Sequence, residues 1–271
     1  MNITFIGGGN MASALIGGLI RKRWPRRAMR VVEVAQSARD RLKREFKVTV
    51  HIALDARAAR SDCIVLAVKP QQLREVARAL RPLLSAQLVI TLAAGVRVRD
   101  LSRWLGGYPR IVRVMPNTPA LALAGISGLY ADRAVNAAGR AAAQRILGAV
   151  GTTLWLEREG DLDAVTAVSG SGPAYVYYFV EALERAAREL GLAAGAAHAL
   201  ALETFAGAVK LAAQAGEPPE TLRSRVTSKG GTTERALASM DADRVKDAIV
   251  RAVKAAAERS RELGDELGKD Q

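Results

Sequence analysis

The first sixteen residues constrain this chain more than any other stretch. A short β-type run, Ile3–Ile6, breaks at once into Gly7-Gly8-Gly9 and continues as Asn10-Met11-Ala12-Ser13-Ala14-Leu15-Ile16. This is G-x-G-x-x-A set between a strand and a helix, and each small residue meets one demand of a tight β-to-α turn. Gly7 allows the turn, Gly9 lets a bulky anion approach the backbone, and Ala12 lets helix pack closely on sheet. The free N–H groups and dipole at such a helix start favour negative charge. The motif therefore predicts a dinucleotide diphosphate held by Gly7, Gly8, Gly9, Asn10, Met11 and Ala12.

The rest of the first half repeats the same rhythm. Apolar, β-branched runs occupy residues 30–34, 63–68, 88–92, 111–114 and 126–130, each bounded by Gly, Pro or polar residues. Helical stretches such as residues 10–22 and 38–46 lie between them. Such alternation predicts α/β architecture, a doubly wound sheet of buried parallel strands. Beyond Trp155 the strands stop. Helices are expected over residues 174–190 and 193–215, from Pro218-Pro219, over about 233–240 and over 242–267, with Gly191 and Gly216 as stops. The predicted division is a Rossmann-type domain over residues 1–157 and an all-α domain over 158–271. The Ala-rich helices allow close helix–helix contact, and a compositional bias toward Ala explains them equally well.

Composition narrows the partners. In 271 residues with 49% apolar side chains, a substantial core is available and wholesale disorder is excluded. No run approaches the roughly 20 apolar residues of a membrane span. The start lacks the basic and long apolar parts of an export signal, so a cytoplasmic protein is expected, and the single Cys63 has no internal disulfide partner. The net charge of +13 comes from arginines scattered along the helical segments, with one dense cluster, Arg21-Lys22-Arg23 and Arg26-Arg27, at a predicted helix end. RNP-like aromatic runs, zinc-type Cys/His spacings and basic-region heptads are all absent from the sequence. The reading is an arginine-rich solvated surface, with neither nucleic acid, membrane nor metal as partner and a small molecule as substrate.

Two further questions concern chemistry. An acid at the end of the second strand would hold a ribose 2′-hydroxyl, and Glu33 lies there, though strand alternation can turn it either way. Ala35-Gln36-Ser37 and Arg39, just beyond, are neutral or basic groups suited to a 2′-phosphate, so NADP is expected, with NAD accepted. Hydroxyl oxidation needs a proton shuttle, yet the two histidines, His51 and His198, show no pairing with a carboxylate in sequence. Imine reduction needs less, because a protonated C=N is already electrophilic and must mainly be held and aligned. Residues 227–233, Thr-Ser-Lys-Gly-Gly-Thr-Thr, bring four hydroxyls, two glycines and Lys229 to a predicted helix start, a setting for a carboxylate. The same residue types also fit a capped helix start with a flexible loop.

Several segments together resemble the pyrroline-5-carboxylate reductase family along nearly the whole chain. They are Phe5 to Ala12, Ala67-Val68-Lys69-Pro70, Ala93-Ala94-Gly95-Val96, Arg113-Val114-Met115-Pro116-Asn117-Thr118-Pro119, Ala164-Val165-Thr166, Ser169-Gly170-Ser171-Gly172-Pro173-Ala174-Tyr175 and Val226 to Thr233. The resemblance implies NAD(P)H-dependent hydride transfer to 1-pyrroline-5-carboxylate, giving L-proline. It implies an all-α C-terminal dimerisation domain interlocked with a partner chain, with rings of such dimers known in the family. Ala67, Val68, Lys69, Pro70, Ala93, Ala94 and Gly95 would line the cofactor crevice with Ala35 and Gln36, and Met115, Pro116 and Asn117 would border the nicotinamide. Thr233 would hydrogen-bond the imine nitrogen as the catalytic residue. Ser228 and the backbone of Gly230, Gly231 and Thr232 would receive the substrate carboxylate, with Ser171 in the wall of the site.

One departure stands out. The family loop more often reads Ser-Pro-Gly-Gly, and Lys229 replaces that proline; a solvated lysine is the expected outcome. Two rivals remain. A β-hydroxyacid dehydrogenase would use a helix-borne lysine with an Asn, but Lys210 lacks such a partner because the last Asn is Asn136. A nucleotide-binding protein without turnover would bind cofactor and consume none.

Overall fold

Period-two alternation of apolar side chains sets the architecture of the computed structural model, which describes residues 1–269. In β1 (Ile3–Ile6), Ile3 and Phe5 join one buried cluster and Ile6 joins another. In β4 (Cys63–Leu66), Cys63 and Val65 take the first face while Ile64 and Leu66 take the second. A strand apolar on both faces must be covered on both, which is what crossover helices do. α1 (Asn10–Arg21), α2 (Gln36–Phe46) and α5 (Ala137–Leu147) cover the Phe5 face through Leu15, Ile16, Leu19, Leu42 and Ile146. α3 (Pro70–Leu80) and α4 (Val98–Trp104) cover the other through Leu73, Leu80, Leu101 and Trp104. Each such fully buried aliphatic side chain contributes about 1.5–3 kcal/mol relative to exposure.

Among the described residues the sheet has eight strands. The others are β2 (Met29–Val32), β3 (Thr49–His51), β5 (Leu88–Thr91), β6 (Ile111–Met115), β7 (Gly125–Ala131) and β8 (Gly151–Trp155), in the order β3-β2-β1-β4-β5-β6-β7-β8. Strand order reverses between β1 and β4, the place where open α/β sheets form a ligand crevice beyond the strands' carboxyl ends. Pairing there ends at Ile6 with Val32 and with Leu66, so residues 33–34 and 67–68, expected in strands, leave the sheet and turn toward that crevice. The sheet is also not wholly parallel, because β7 runs antiparallel to β6. Only a short 3₁₀ turn, Thr118–Ala122, separates them, and a parallel crossover needs a dozen or more residues. β3 and β8 were not foreseen. Both are edge strands whose pattern of apolar residues is too short or too polar to stand out.

The chain forms two compact units. The first comprises residues 1–171 with the stretch from Ala256 onward, and the second comprises residues 172–255. In the first, α6 (Asp161–Val165) runs straight into a π-helical turn, Thr166–Gly170, so Ser169 and Gly170 belong to a wound turn. The end of α11 (Val245–Gly268) packs on the same unit: Arg97 pairs with Asp265 at 2.6 Å, and the Ser260 hydroxyl donates to Asp163 at 2.7 Å.

The second unit holds α7 (Gly172–Glu189), α8 (Ala194–Ala215), α9 (Pro219–Arg225), α10 (Thr232–Ala242) and the start of α11. Among its described residues only Val180, Ala197 and Ala201 are buried. Tyr177, Tyr178, Leu183, Leu200, Val209 and Leu211 are exposed, an apolar surface of the kind that marks an interaction face. No described helix is long and apolar enough to cross a membrane.

Candidate active site

The glycine turn has the geometry its residue types predict. Gly7 has φ +95, and a Cβ there would lie 2.7 Å from the Ala67 carbonyl oxygen, so only glycine fits. A Cβ on Gly9 would meet nothing within 4 Å, leaving open space beside the first turn of α1. That helix start has no side-chain cap, so its N–H groups are available to an anion. Ala12 is fully buried, beneath the turn rather than facing the cavity. A second close approach went unread: the helical Gly18 faces the Ala149 carbonyl with no room for a methyl group.

Two cavities open from this turn and share Ala67, Val68 and Lys69. One, about 670 Å³, is lined by Gly7, Gly8, Gly9, Glu33 and Ile52 among others. The second, about 320 Å³, is lined by Met11, Ala94, Met115, Pro116, Asn117 and Gly170 as well as the shared three. An open glycine cradle, an uncapped helix start and a two-part cavity fit a dinucleotide. Several expected cofactor residues stand elsewhere: Asn10, Ala35 and Gln36 are exposed, Pro70 opens α3, and Ala93 is buried with its N–H directed to the Thr91 hydroxyl. None of these five lines either cavity. Gly95, with φ +77, packs against Leu263 and Leu267 of α11, so its requirement for glycine is structural.

The rim beside Glu33 differs from the sequence reading. One Glu33 carboxylate oxygen accepts from the Gly8 N–H at 2.8 Å and the other accepts from the Ala35 N–H at 2.8 Å, so the side chain faces the turn. Arg39 is buried, and its guanidinium donates to the carbonyls of Glu33 at 3.1 Å and Val34 at 2.5 Å and to the Gln36 side chain. Arg39 thus fixes the loop into α2 and is not presented to a phosphate.

On the other side of the shared residues, Asn117 ties three elements together. Its carbonyl oxygen accepts from the Ile126 N–H of β7 at 2.9 Å and its amide donates to the Ser169 hydroxyl at 3.2 Å. The π turn closes through the Ser171 N–H, which donates to the Thr166 carbonyl at 2.8 Å. Gly170 lies directly against the end of the Met115 side chain. Such π turns recur at functional sites because they re-aim one residue of a helix. The Val-Ser-Gly-Ser-Gly run was the only sequence signal for it.

In the second unit, residues 226–231 lead into α10, with Gly231 as an uncapped helix start. Gly230 has φ +74, and a Cβ on Gly231 would lie 2.7 Å from the Ser228 hydroxyl. Not every expected carboxylate donor is open. The Gly230 N–H donates to Glu234 at 2.7 Å and the Gly231 N–H to the Ser228 carbonyl at 3.0 Å. The N–H groups of Thr232 and Thr233 lie in the first turn and have no intrahelical acceptor. Thr227 turns back to the Arg223 carbonyl, while Ser228 and Lys229 are exposed.

His51 sits on β3, and its Nε2 is buried without a partner. His198 of α8 meets Glu184 of α7 at 2.7 Å, a histidine–carboxylate pair that the sequence did not reveal. The imidazole is 63% exposed on the helical unit, which has no glycine cradle.

Comparison with known proteins gives a consistent picture. A family model described as pyrroline-5-carboxylate reductase dimerisation matches residues 159–263, and one described as NADP oxidoreductase, coenzyme F420-dependent, matches residues 2–95. The chain is 43% identical to the pyrroline-5-carboxylate reductase of Pseudomonas aeruginosa, over 98% of both chains. It superposes on the Coxiella burnetii pyrroline-5-carboxylate reductase with a TM-score of 0.91 at 39% identity, covering 97% of this chain and 98% of the other. A Plasmodium falciparum pyrroline carboxylate reductase structure with NADP bound gives 0.86 at 30% identity, covering 97% and 98%. On full-length identity, on matching fold and on the helical dimerisation domain, this chain belongs to the pyrroline-5-carboxylate reductase family.

Proposed function

We propose that this chain reduces 1-pyrroline-5-carboxylate to L-proline with a reduced nicotinamide cofactor. The observation that carries the reading is identity of 43% to a pyrroline-5-carboxylate reductase over almost all of both chains. The glycine cradle and the hydroxyl-bearing loop before α10 supply, from this chain's own residues, the two binding functions the reaction needs. The reduced nicotinamide, when bound, supplies the hydride.

The protein's part is mostly alignment. The backbone at Gly7, Gly8 and Gly9 and the start of α1 take the diphosphate, and Met115, Pro116, Asn117 and Gly170 shape the cavity for the nicotinamide ring. Thr233 holds the ring nitrogen of the imine; its hydroxyl is too weak an acid to drive the reaction, so the substrate enters as the iminium and Thr233 contributes orientation. The substrate carboxylate is received by the Ser228 hydroxyl and the N–H groups of Thr232 and Thr233. Gly230 can join only if Glu234 releases its N–H. Ser171 forms part of the wall.

Hydride transfer requires the reacting atoms within about 3–3.5 Å. The reading therefore requires the loop at residues 227–233 to meet a nicotinamide cavity, its own or a partner's. Self-association is supported by the family model, with the exposed Tyr177, Tyr178, Leu200 and Leu211 giving α7 and α8 a face for it; an interlocked dimer, and rings built from it, extend that reading on the family resemblance alone. Between the cofactors, residues 35–39 led the sequence reading to NADPH with NADH accepted, and the NADP-bound relative is consistent with it. The hydrogen bonds around Glu33 argue for the opposite order. A cytoplasmic location fits the absence of a spanning helix among the described residues.

The test is consumption of NADH or NADPH, followed by absorbance, on addition of pyrroline-5-carboxylate, with proline identified as product. Cofactor binding without substrate-dependent consumption would defeat the reading and favour a nucleotide-binding protein.

A further inference from the structure

We infer that Glu33 makes this chain select NADH over NADPH, by placing a carboxylate where the 2′-phosphate would lie. The inference rests on the nicotinamide-dependent reading above and adds the cofactor's identity to it. An acid at the end of the second strand of such a fold holds the ribose 2′-hydroxyl when it faces the glycine turn. Glu33 follows β2 directly and does face it, since one oxygen accepts from the Gly8 N–H and the other from the Ala35 N–H, both at 2.8 Å. These two amides fix the carboxylate between the turn and the entrance to α2, while its remaining lone pairs can accept from a ribose hydroxyl.

The basic side chains near this rim are held by other partners. At the start of α2, Glu33 holds the Ala35 N–H at the N-cap, so a carboxylate charge already sits beside that helix start. Arg39 is buried on two carbonyls and Gln36. The Gln36 amide nitrogen donates to Asp40 at 2.9 Å, which adds a second carboxylate nearby. Arg41 points at the Gly8 carbonyl at 3.0 Å and the Ser13 hydroxyl at 3.3 Å and does not line the cavity. The charged residues lining the larger cavity are Glu33, Glu75 and Lys69. Lys69 also lines the smaller cavity, which puts it toward the middle of the dinucleotide and away from the adenosine ribose. A 2′-phosphate at this rim would face the fixed Glu33 carboxylate, while among the described residues the guanidinium groups of Arg39 and Arg41 are held on backbone carbonyls.

Calorimetric titration of the intact apo-protein with ADP-ribose and with 2′-phospho-ADP-ribose tests this without any turnover. ADP-ribose should bind tighter by on the order of tenfold, the scale of repulsion between such anions at a partly solvated rim. Glu33→Gln keeps an acceptor and removes the charge, and should shrink the ratio to about threefold or less. Should that variant fold poorly, the wild-type ratio measured against salt gives the same information, because repulsion at the rim falls as ionic strength rises. Equal or tighter binding of the 2′-phosphorylated nucleotide, or a ratio insensitive to both charge removal and salt, would overturn the inference and leave the proposed reduction intact. Binding of neither nucleotide would overturn both.

Discussion

Gly9→Ala separates stability from cofactor binding. Gly9 has φ −69 and ψ −169, an extended conformation alanine adopts without strain, and an added Cβ meets nothing within 4 Å. In the absence of ligand the variant should be slightly more stable, by about 0.4–1 kcal/mol, because alanine restricts the unfolded chain. For a chain of this size that is a rise of about 1–4 °C in Tm. The same methyl group projects into the space the diphosphate should fill, displacing it from N–H donors whose charged hydrogen bonds are worth about 1.5–3 kcal/mol each. Loss of one such bond weakens nucleotide binding roughly 10- to 150-fold. At a nucleotide concentration of 100 times the wild-type Kd, ligand binding stabilises the wild type by about 2.7 kcal/mol, and the variant by only about 0.3–1.4 kcal/mol. Thermal scans with and without NADH would therefore show a wild-type shift of about 5–11 °C shrinking to about 1–6 °C. A variant that keeps the full ligand shift would refute the cradle; one that loses several degrees without ligand would refute the open space around Gly9.

Other substitutions probe separate parts of the argument. Thr233→Ala should lower kcat substantially while nucleotide Kd stays nearly unchanged, and unaltered kinetics would remove Thr233 from the mechanism. Glu234→Ala frees the Gly230 N–H and removes a competing carboxylate, so KM for pyrroline-5-carboxylate should fall by up to about fivefold, the range of exposed ion interactions; an unchanged or raised KM would mean Gly230 does not receive the substrate. Gly18→Ala should destabilise by about 1–3 kcal/mol despite alanine's helix preference, because the methyl group meets the Ala149 carbonyl, and urea denaturation would show it. Burial, with Asp62 adding to it, pushes the Cys63 thiol far above its ordinary value. Its contribution to stability is therefore complete below the unfolded thiol pKa of about 8.5 and declines as pH rises beyond it. Denaturation midpoints should fall above that pH in the wild type and fall less steeply in Cys63→Ala.

How much of this was legible in sequence depended on the range of the interactions. The βα turn at Ile6-Gly7-Gly8-Gly9 and the start of α10 after Gly230-Gly231 are set by backbone freedom and unpaired N–H groups within a few residues, so composition and spacing reveal them. Strand alternation revealed six of the eight described strands; β3 and β8 were missed because edge strands carry only a weak apolar pattern. The π turn escaped because glycine and serine read locally as a break, whereas packing of Gly170 on Met115 and the Asn117 bond to Ser169 hold it wound. The direction of Glu33 was not legible because strand alternation leaves both orientations open, and only its bonds to the Gly8 and Ala35 N–H groups decide it.

The sequence by itself determined a glycine-bearing first βα turn, helices that follow a wound sheet, and a hydroxyl-rich loop ahead of α10. Those features rest on local conformational rules that no distant contact overrides. Only the tertiary structure decided that β7 reverses, that Glu33 turns onto Gly8, that Arg39 is taken up by carbonyls, and that Glu234 holds the Gly230 N–H. Each of these is a choice among partners that residue types alone leave equivalent. The choice is made by which donor the fold brings within about 3 Å of which acceptor.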